Sequence, residues 1–205
     1  STLRRADAKW DKNTINDSLT VIEEEADRLS KMIDDLLDAS RLQAGGMSLN
    51  QADVALPSLA LRVSERLASQ SPKHRIVTDF PEKFPVILGD ENRLEQVLSN
   101  LVSNALKYAP EGEIKIIGTV LPEQVVVCVS DEGPGIDPKD MPHIFDRFYR
   151  STSAVKQTKG AGLGLYLARA IIEAHGGRIW AEGANSSTQT SKPESGARIC
   201  FSLPR

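Results

Sequence analysis

Residues 11 to about 43 carry a hydrophobic repeat that constrains the fold more than any other feature of the sequence. Apolar or small residues recur in alternating steps of four and three over more than three heptads, and charged residues occupy the other faces. The seam residues are Ile15, Leu19, Ile22, Ala26, Leu29, Ile33, Leu36 and Ser40. The pattern predicts one long helix with Asp11 or Asn13 as its N-cap. Because a single helix cannot bury its own seam, we expect a partner helix from another segment or chain; an ordinary core helix of a compact domain is the alternative.

The remainder of the sequence, from residue 47 to residue 205, has the mixed pattern of an α/β unit. Short apolar or alternating runs predict strands near residue 54 and at 76–80, 86–88, 114–120, 125–129, 178–182 and 197–203. Amphipathic runs predict helices after Pro57, from Asp90 to about Tyr108, and from about Leu163 to Ala174.

Composition and charge exclude several classes of protein. Hydrophobic residues make up 40% and charged residues 26% of the 205 residues, which excludes a disordered tail and a collagen-like repeat. A net charge of −3 offers no basic field for nucleic acid, and no apolar run approaches the roughly 18 residues of a membrane span. We therefore expect no nucleic-acid partner and no direct membrane contact by this segment. Cys128 and Cys200 are too few for a disulfide framework, which favours a reducing, cytoplasmic location, whether the intact parent is membrane-anchored or soluble.

Two asparagines lie in register on the helix predicted to end near Tyr108. Asn100 and Asn104 are four residues apart, so they share one face of that helix. Lys107 and Tyr108 continue the same face one turn later. Asparagine is a poor helix former, but its amide oxygen suits Mg²⁺, and a lysine ammonium suits phosphate oxygens. The pattern therefore indicates a phosphate and magnesium site; a solvated polar face is the alternative.

An acidic residue followed by glycines comes directly after the apolar run at 125–130, where residues 131–135 read DEGPG. An ionised Asp131 only accepts hydrogen bonds, so it can receive an exocyclic amino group such as that of adenine. Gly133 and Gly135 lack Cβ atoms and leave room for a flat ring. The segment is thus a candidate base-binding loop, although a plain turn has the same composition.

A glycine-rich run, KGAGLGL at residues 159–165, opens the last predicted helix. Backbone N–H groups and the positive end of a helix dipole favour phosphate at such a position. The polar stretch at 151–158 before it is typical of a lid that orders over a ligand. A dinucleotide-binding loop is the alternative, but that loop should end the first strand of a βαβ unit, and this run follows a long irregular segment late in the chain.

Residues 145–150 read FDRFYR and concentrate aromatic and arginine side chains ahead of the predicted lid. Phe145 and Phe148 can anchor the base of the lid, and Arg150 can reach a phosphate. A small hydrophobic staple with surface arginines is the alternative.

Taken in their order along the chain, the four motifs resemble the N, G1, F and G2 boxes of bacterial sensor histidine kinases. The long helix, followed by RLQAG at 41–45, resembles the second helix of that family's dimerisation and histidine-phosphotransfer hairpin. The resemblance implies a partial hairpin at residues 1–45 and a catalytic ATP-binding domain at 46–205. It implies the Bergerat fold, an α/β sandwich of a mixed sheet with helices on one face, preceded by one long coiled-coil-like helix.

The same resemblance implies which residues bind ATP and Mg²⁺. Asn104 would hold Mg²⁺, and together with Asn100 and Lys107 it would form the catalytic set. Asp131 would bind the adenine amino group. The other cofactor-binding residues implied by the four boxes are Tyr108, Gly133, Gly135, Ile136, Phe145, Arg150, Gly160, Gly162, Leu163, Gly164 and Leu165.

The resemblance further implies that the intact protein transfers the γ-phosphoryl group of ATP to a histidine on the dimerisation helix. A cognate response regulator would then accept it on an aspartate, and the hairpin would form a homodimer. The family's phosphoacceptor histidine lies in an H box on the first hairpin helix, and this sequence contains no such motif; residues 1–5 would be only the tail of that helix. We therefore expect this chain to bind Mg-ATP without phosphorylating itself on that histidine.

Two other functions remain open at this stage. An ATPase of the gyrase, heat-shock-90 and mismatch-repair type resembles this chain but places a glutamate general base one helical turn before the Mg-binding asparagine. Here that position is Asn100, whose amide cannot take a proton from water. The heptads alone also fit a non-catalytic dimerisation module, which would have no affinity for nucleotide.

Overall fold

The computed structural model describes residues 11–43, 48–69, 71–151, 161–182 and 196–205. The expected helix remnant at residues 1–5, the expected domain boundary after residue 45 and most of the expected lid lie outside the described residues. Among the described helices, none combines the length and the apolar character that a membrane crossing requires.

The heptad repeat forms one continuous helix, α1, from Lys12 to Gln43. Asp11 caps its start, because the Asp11 carboxylate accepts the Thr14 N–H at 2.7 Å. The large seam side chains are exposed, with Leu29 and Ile33 each 58% accessible. The helix is therefore confirmed, and the described part of the chain leaves most of its seam uncovered.

The rest of the described chain is a five-stranded mixed sheet with three helices on one face. Its strands are β2 (His74–Asp79), β4 (Gly112–Val120), β5 (Gln124–Ser130), β6 (Arg178–Glu182) and β7 (Arg198–Pro204), and a separate two-stranded sheet pairs β1 (Ala52–Val54) with β3 (Ile87–Gly89). The helices are α2 (Leu56–Ala68), α3 (Glu91–Tyr108) and α4 (Gly164–Ala174). The strand order is β2-β4-β5-β7-β6, with β2 parallel to β4 and the other neighbours antiparallel. This arrangement confirms the expected α/β sandwich.

The hydrophobic core lies between the sheet and the helices. Strand residues alternate between the two faces, so Val125, Val127 and Val129 of β5 all point to the helix side and are buried. Leu98 of α3 and Ile171 of α4 cover them from the other layer. Burial of one sheet face against amphipathic helices is the main source of stability in such a layered domain.

The start of α3 is fixed by a buried polar cluster around Asp90. The Asp90 carboxylate accepts the Arg93 N–H at 3.1 Å and the Asn50 N–H at 2.9 Å, which confirms it as the N-cap. Burial raises the pKa of Asp90, but these backbone hydrogen bonds outweigh burial and lower the pKa below its ordinary value. The Asp90 N–H in turn donates to Nε2 of buried His175, whose Nδ1 faces the Ile171 carbonyl at 2.7 Å. The cluster therefore holds the start of α3 against the end of α4.

The two cysteines form a disulfide bond, which their small number had not led us to expect. Cys128 and Cys200 are joined by a disulfide, although 72 residues separate them in the sequence. They lie directly opposite each other in the register of β5 and β7. Cysteine count alone could not show this pairing, because it depends on which distant strands become neighbours.

Candidate functional site

A cavity of about 640 Å³, called the main cavity below, opens beside α3 and the loop that follows β5. Apolar side chains such as Leu101, Val129 and Ile199 form part of its wall. Seven residues that the sequence singled out line it: Asn104, Tyr108, Asp131, Gly135, Ile136, Arg150 and Leu165. A mostly apolar cavity with a few convergent polar groups is typical of a ligand site.

Asp131 is held in the main cavity by two backbone hydrogen bonds. Its Oδ1 accepts the N–H groups of Gly133 at 2.8 Å and Ala197 at 3.1 Å. Burial raises the pKa of Asp131 above its ordinary value, although these two hydrogen bonds oppose the shift. Since both bonds use Oδ1, Oδ2 remains an acceptor for a ligand's amino group.

A glycine that sequence reasoning missed supports this carboxylate from the neighbouring strand. Gly196 has φ of +132°, and a Cβ at this position would lie 1.8 Å from the Asp131 carbonyl oxygen. Only glycine fits this close approach, which brings the Ala197 N–H to Asp131. The local signal was weak, because a single glycine before a strand is common in turns.

The two asparagines of α3 have different surroundings. Asn104 lines the main cavity and is partly exposed. Asn100 is 7% exposed, and its side-chain N–H donates to the Gly164 carbonyl at 3.2 Å. The structure therefore brings Asn104 to the cavity together with Asp131, whereas the Asn100 amide joins α3 to the first residue of α4.

Lys107 extends from α3 beside Tyr108, which lines the main cavity. The Lys107 side chain is exposed, and its Nζ lies 5.8 Å from the centre of the Tyr108 ring. The ammonium group is thus next to the cavity wall without belonging to the lining that the structure shows.

The expected hinge is built around Gly162. This residue has φ of +72°, and its carbonyl accepts the Phe148 N–H at 3.0 Å. A Cβ on Gly162 would lie 2.8 Å from backbone atoms of Phe148 and Tyr149. Glycine is therefore required where the segment after the expected lid passes the aromatic motif. Gly160 lies outside the described residues.

Leu163 and Leu165, on either side of Gly164, lie in different environments. Leu163 is buried and packs with Ala39 of α1 and Leu167 of α4, away from the main cavity. Leu165 lines the main cavity. The start of α4 therefore contacts the long helix on one side and the cavity on the other.

Phe145 and Gly133 support the site from outside the main-cavity lining. Phe145 packs against the hydrophobic core and lines a second cavity of about 450 Å³ with Tyr166 and Arg169. Gly133 is buried where a Cβ would come within 2.9 Å of Asp131 Oδ1. Both residues shape the region without bordering the main cavity.

Tyr149 and Asp140 form a wall that sequence reasoning did not identify. The Tyr149 hydroxyl donates to Asp140 Oδ1 at 2.7 Å, and both residues line the main cavity. This hydrogen bond is the chief cause of a raised pKa for Tyr149. Tyr149 belongs to the aromatic motif that the sequence showed, next to Arg150. Its hydrogen bond to Asp140, nine residues earlier, left no signal in the sequence.

Comparison with known proteins assigns the family. A family model described as "Histidine kinase-, DNA gyrase B-, and HSP90-like ATPase" matches residues 89–205, more than half of the chain. The chain belongs to this family. Its described site, from α3 to β7, lies within the matched region.

Relatives within the family are sensor histidine kinases, which confirms the resemblance drawn from the four motifs. The sensor histidine kinase TrcS of Mycobacterium tuberculosis (strain ATCC 25618 / H37Rv) is 35% identical over 91% of this chain and 38% of its own length. The structure of full-length ShkA in complex with AMPPNP has a TM-score of 0.78 at 27% identity, covering 97% of this chain and 40% of the ShkA chain.

A further structure, histidine kinase ThkA in complex with the response regulator protein TrrA, has a TM-score of 0.73 at 26% identity. The match covers 99% of this chain and 55% of the matched chain of that complex. This chain thus spans about two fifths of the length of TrcS and ShkA.

Proposed function

We propose that residues 46–205 are the catalytic domain of a sensor histidine kinase, which binds Mg-ATP and transfers its γ-phosphoryl group to a histidine. The observation that carries this proposal is the meeting of Asp131 and Asn104 in one cavity from two distant parts of the sequence. A carboxylate for the adenine amino group and an amide oxygen for a hydrated magnesium ion are the donors that this ligand needs.

The base end of the ligand would lie against Asp131. Gly133 and Ala197 hold Asp131 Oδ1, so Oδ2 keeps one orientation and accepts the adenine amino group. Ile136 and Val129 line the same cavity and would supply apolar surface for the ring. The cavity would thereby select adenine over guanine, because a carboxylate does not accept from the guanine carbonyl edge.

The phosphate end would lie toward Asn104, Lys107 and Arg150. Asn104 offers an amide oxygen to Mg²⁺, which when bound would neutralise charge on the phosphate oxygens. Arg150 lines the cavity and Lys107 lies beside Tyr108, so both would add positive charge near this end, and the start of α4 would offer backbone N–H groups to phosphate oxygens. Phosphoryl transfer requires mainly positioning and charge stabilisation, so this set of groups suits it.

We also propose that this chain does not phosphorylate itself on the family's phosphoacceptor position. No histidine occurs in α1, and the three histidines of the sequence are His74, His143 and His175. His175 is buried with both ring nitrogens hydrogen-bonded, so it is not available to a phosphoryl donor. Incubation with γ-labelled ATP should give no stoichiometric acid-labile label; such a label would contradict the proposal.

The intact protein is proposed to be a homodimer through a helical hairpin that includes α1, with residues 1–45 as the hairpin part of this chain. The exposed seam of α1 supports this arrangement, since Ile22 and Leu29 are 54% and 58% accessible. A cognate response regulator is proposed as the next phosphoryl acceptor, supported by the relative ThkA, which is solved in complex with a response regulator protein.

Nucleotide titration of four matched proteins tests the proposal. A fluorescent ATP analogue in the presence of Mg²⁺ should bind the unaltered chain, bind Asp131→Asn weakly, and bind Asn104→Asp with an altered magnesium dependence. Asp53→Asn is the control, because Asp53 is exposed on β1. Equal binding by all four proteins would remove the site assignment.

ATP hydrolysis separates the kinase from an ATPase. Since the Asn100 amide bonds to the Gly164 carbonyl and is not a base, we expect no sustained turnover of ATP to ADP by this chain. Steady hydrolysis that disappears in Asn100→Ala would favour the ATPase instead.

A further inference from the structure

Cys128 of β5 and Cys200 of β7 face each other on the side of the sheet that the helices do not cover. The two residues are directly opposite in the antiparallel register, with Cα atoms 4.0 Å apart, and their sulfur atoms are bonded. Their strand neighbours Val127 and Phe201 point into the core, so the cysteines point to the opposite face. The proposed phosphoryl transfer does not use this pair.

The disulfide lies one register position from the main cavity. Val129 and Ile199 are the next residues on the two strands, they pair with each other, and both line the cavity. Directly after β5, Asp131 hydrogen-bonds to Ala197, which directly precedes β7. The bond between the cysteines therefore joins the two strands that carry the base end of the proposed nucleotide site.

The reduced and oxidised forms share the same strand pairing, and a reagent reaches the buried sulfur atoms through transient local opening of β5 and β7. The backbone register of β5 and β7 runs through seven residue pairs, from Gln124 with Pro204 to Ser130 with Arg198, and fixes the positions of both cysteines. The dithiol and disulfide forms are therefore both compatible with the fold. Disulfides in the reducing compartment where ATP-dependent kinases work are usually transient and redox-sensing. Placing this chain in such a compartment rests on the proposed function.

We infer that Cys128 and Cys200 form a reversible thiol–disulfide modification site that joins strands β5 and β7 behind the nucleotide cavity. Cys128 is the entry point, because it is 5% exposed and Cys200 is fully buried. A low-molecular-weight disulfide such as glutathione disulfide is the oxidant.

The exchange balances in two steps. The Cys128 thiolate attacks glutathione disulfide, forms a mixed disulfide and releases one glutathione thiolate. The Cys200 thiolate then attacks the Cys128 sulfur, forms the protein disulfide and releases the second glutathione thiolate. The two protons of the cysteine thiols end on the two released glutathiones, and excess reduced glutathione reverses both steps.

Equilibration against glutathione buffers of graded redox poise tests the site directly. Alkylation followed by intact-mass analysis should show a single reversible transition between a dithiol and a disulfide, with unchanged secondary structure by circular dichroism. Reduction should lower the Tm by roughly 10 °C, because the cross-link closes a long loop of the unfolded chain. In Cys128→Ala/Cys200→Ala the Tm should not respond to the redox poise.

A fluorescence readout follows the same transition. Trp180 pairs with Cys200 in the register of β6 and β7, and the sequence has one other tryptophan, Trp10. In Trp10→Phe, emission from Trp180 should rise on reduction, because a neighbouring disulfide quenches indole fluorescence. Failure of glutathione disulfide to re-form the bond, or loss of the fold on reduction, would overturn the reversible site.

Nucleotide protection tests the link to the cavity. Saturating Mg-ATP should slow reduction of the disulfide at least about fivefold, because opening of β5 and β7 then competes with binding. Asp131→Asn should lose this protection at the same nucleotide concentration. Binding without protection would overturn the link to the cavity. If no nucleotide binds at all, the proposed function fails, while the mass and fluorescence titrations still decide the redox site.

Discussion

Arg93 of α3 forms a bidentate ion pair with Asp38 of α1. Arg93 Nη1 donates to Asp38 Oδ2 at 2.5 Å, and Nη2 donates to Oδ1 at 3.1 Å. Gln96 donates to the same carboxylate at 3.3 Å, and the adjacent Ala39 is fully buried against Leu163. The long helix is thus attached to the α/β unit beside the first residues of α4.

Asp38→Asn should weaken this attachment. The substitution removes the charge from a buried, bidentate acceptor, so we expect the free energy of unfolding to fall by about 2 kcal/mol and the Tm by about 5 °C. Asp34→Asn, exposed on the same helix, is the matched control and should change the Tm by less than about 1 °C. Equal thermal unfolding curves for the two variants would show that the ion pair contributes no stability.

Asp131→Asn should separate ligand binding from stability. Asparagine Oδ1 can still accept the Gly133 and Ala197 N–H groups, but its side-chain NH₂ then faces the adenine amino group, so two donors oppose each other. We expect nucleotide affinity by calorimetry to fall about tenfold or more. The Tm should hold or rise, because burial disfavours the charged carboxylate that is removed. A large fall in Tm with unchanged affinity would assign Asp131 to the fold instead.

The raised pKa of Asp131 should make its contribution to stability decrease as pH rises. A folded-state pKa above the ordinary 3.8 means that the folded protein holds this proton more tightly than the unfolded chain. The resulting stabilisation is fully present below pH 3.8 and is lost as pH rises through the folded-state pKa. Urea unfolding at a series of pH values should therefore show the unaltered chain losing stability relative to Asp131→Asn as pH rises over this window. A difference that stays constant or grows with pH would contradict the assignment.

Local patterns predicted the elements of the fold well, because each is encoded by adjacent residues. The seam of α1 has helical period, the Asp90 cap lies immediately before α3, and β6 begins and ends at the predicted residues Arg178 and Glu182. Sheet order was not available from these patterns. The placement of β7 between β5 and β6 joins segments far apart in sequence. The hydrophobic period within one segment does not indicate which distant strand it pairs with.

The same distinction applies to the candidate site. Asp131 and Asn104 were visible because their residue types are unusual for their local context, after a buried strand and on an apolar helix. Ala197 and the Cys128–Cys200 bond were not visible, since both depend on the pairing of β5 with β7. Helical spacing grouped Asn100 with Asn104, yet a contact with α4 decides where the Asn100 amide points.

Gly162→Ala should destabilise the fold at the expected hinge, and Gly164→Ala should not. At Gly162 the positive φ and a 2.8 Å approach to the backbone of Phe148 strain any Cβ, so we expect a loss of about 1–3 kcal/mol in stability. At Gly164 a Cβ would lie 3.5 Å from Asn100 Cγ, an ordinary contact within a helix. Thermal unfolding of the two variants compares the positions directly, and equal Tm values would exclude a special role for Gly162.

Leu29→Asp should abolish the proposed dimerisation of the intact protein. Leu29 lies in the α1 seam and is 58% exposed, so a charge there would be buried without a partner once a second helix covers the seam. Val21→Asp is the matched control, because Val21 is similarly exposed at 57% on the same helix but outside the seam. Light scattering on the two variants should show a monomer and a dimer; a dimer in both would place the interface elsewhere.

The backbone amide signals of Gly133 and Ala197, followed by NMR during titration with Mg-AMPPNP, test the central claim most directly. Both amides donate to Asp131 Oδ1, so engagement of Oδ2 by the adenine amino group should shift both signals together and saturably. The Trp180 indole signal, from the opposite face of the sheet, serves as the internal reference and should stay in place. Saturable shifts elsewhere in the chain with Gly133 and Ala197 unmoved would contradict the account.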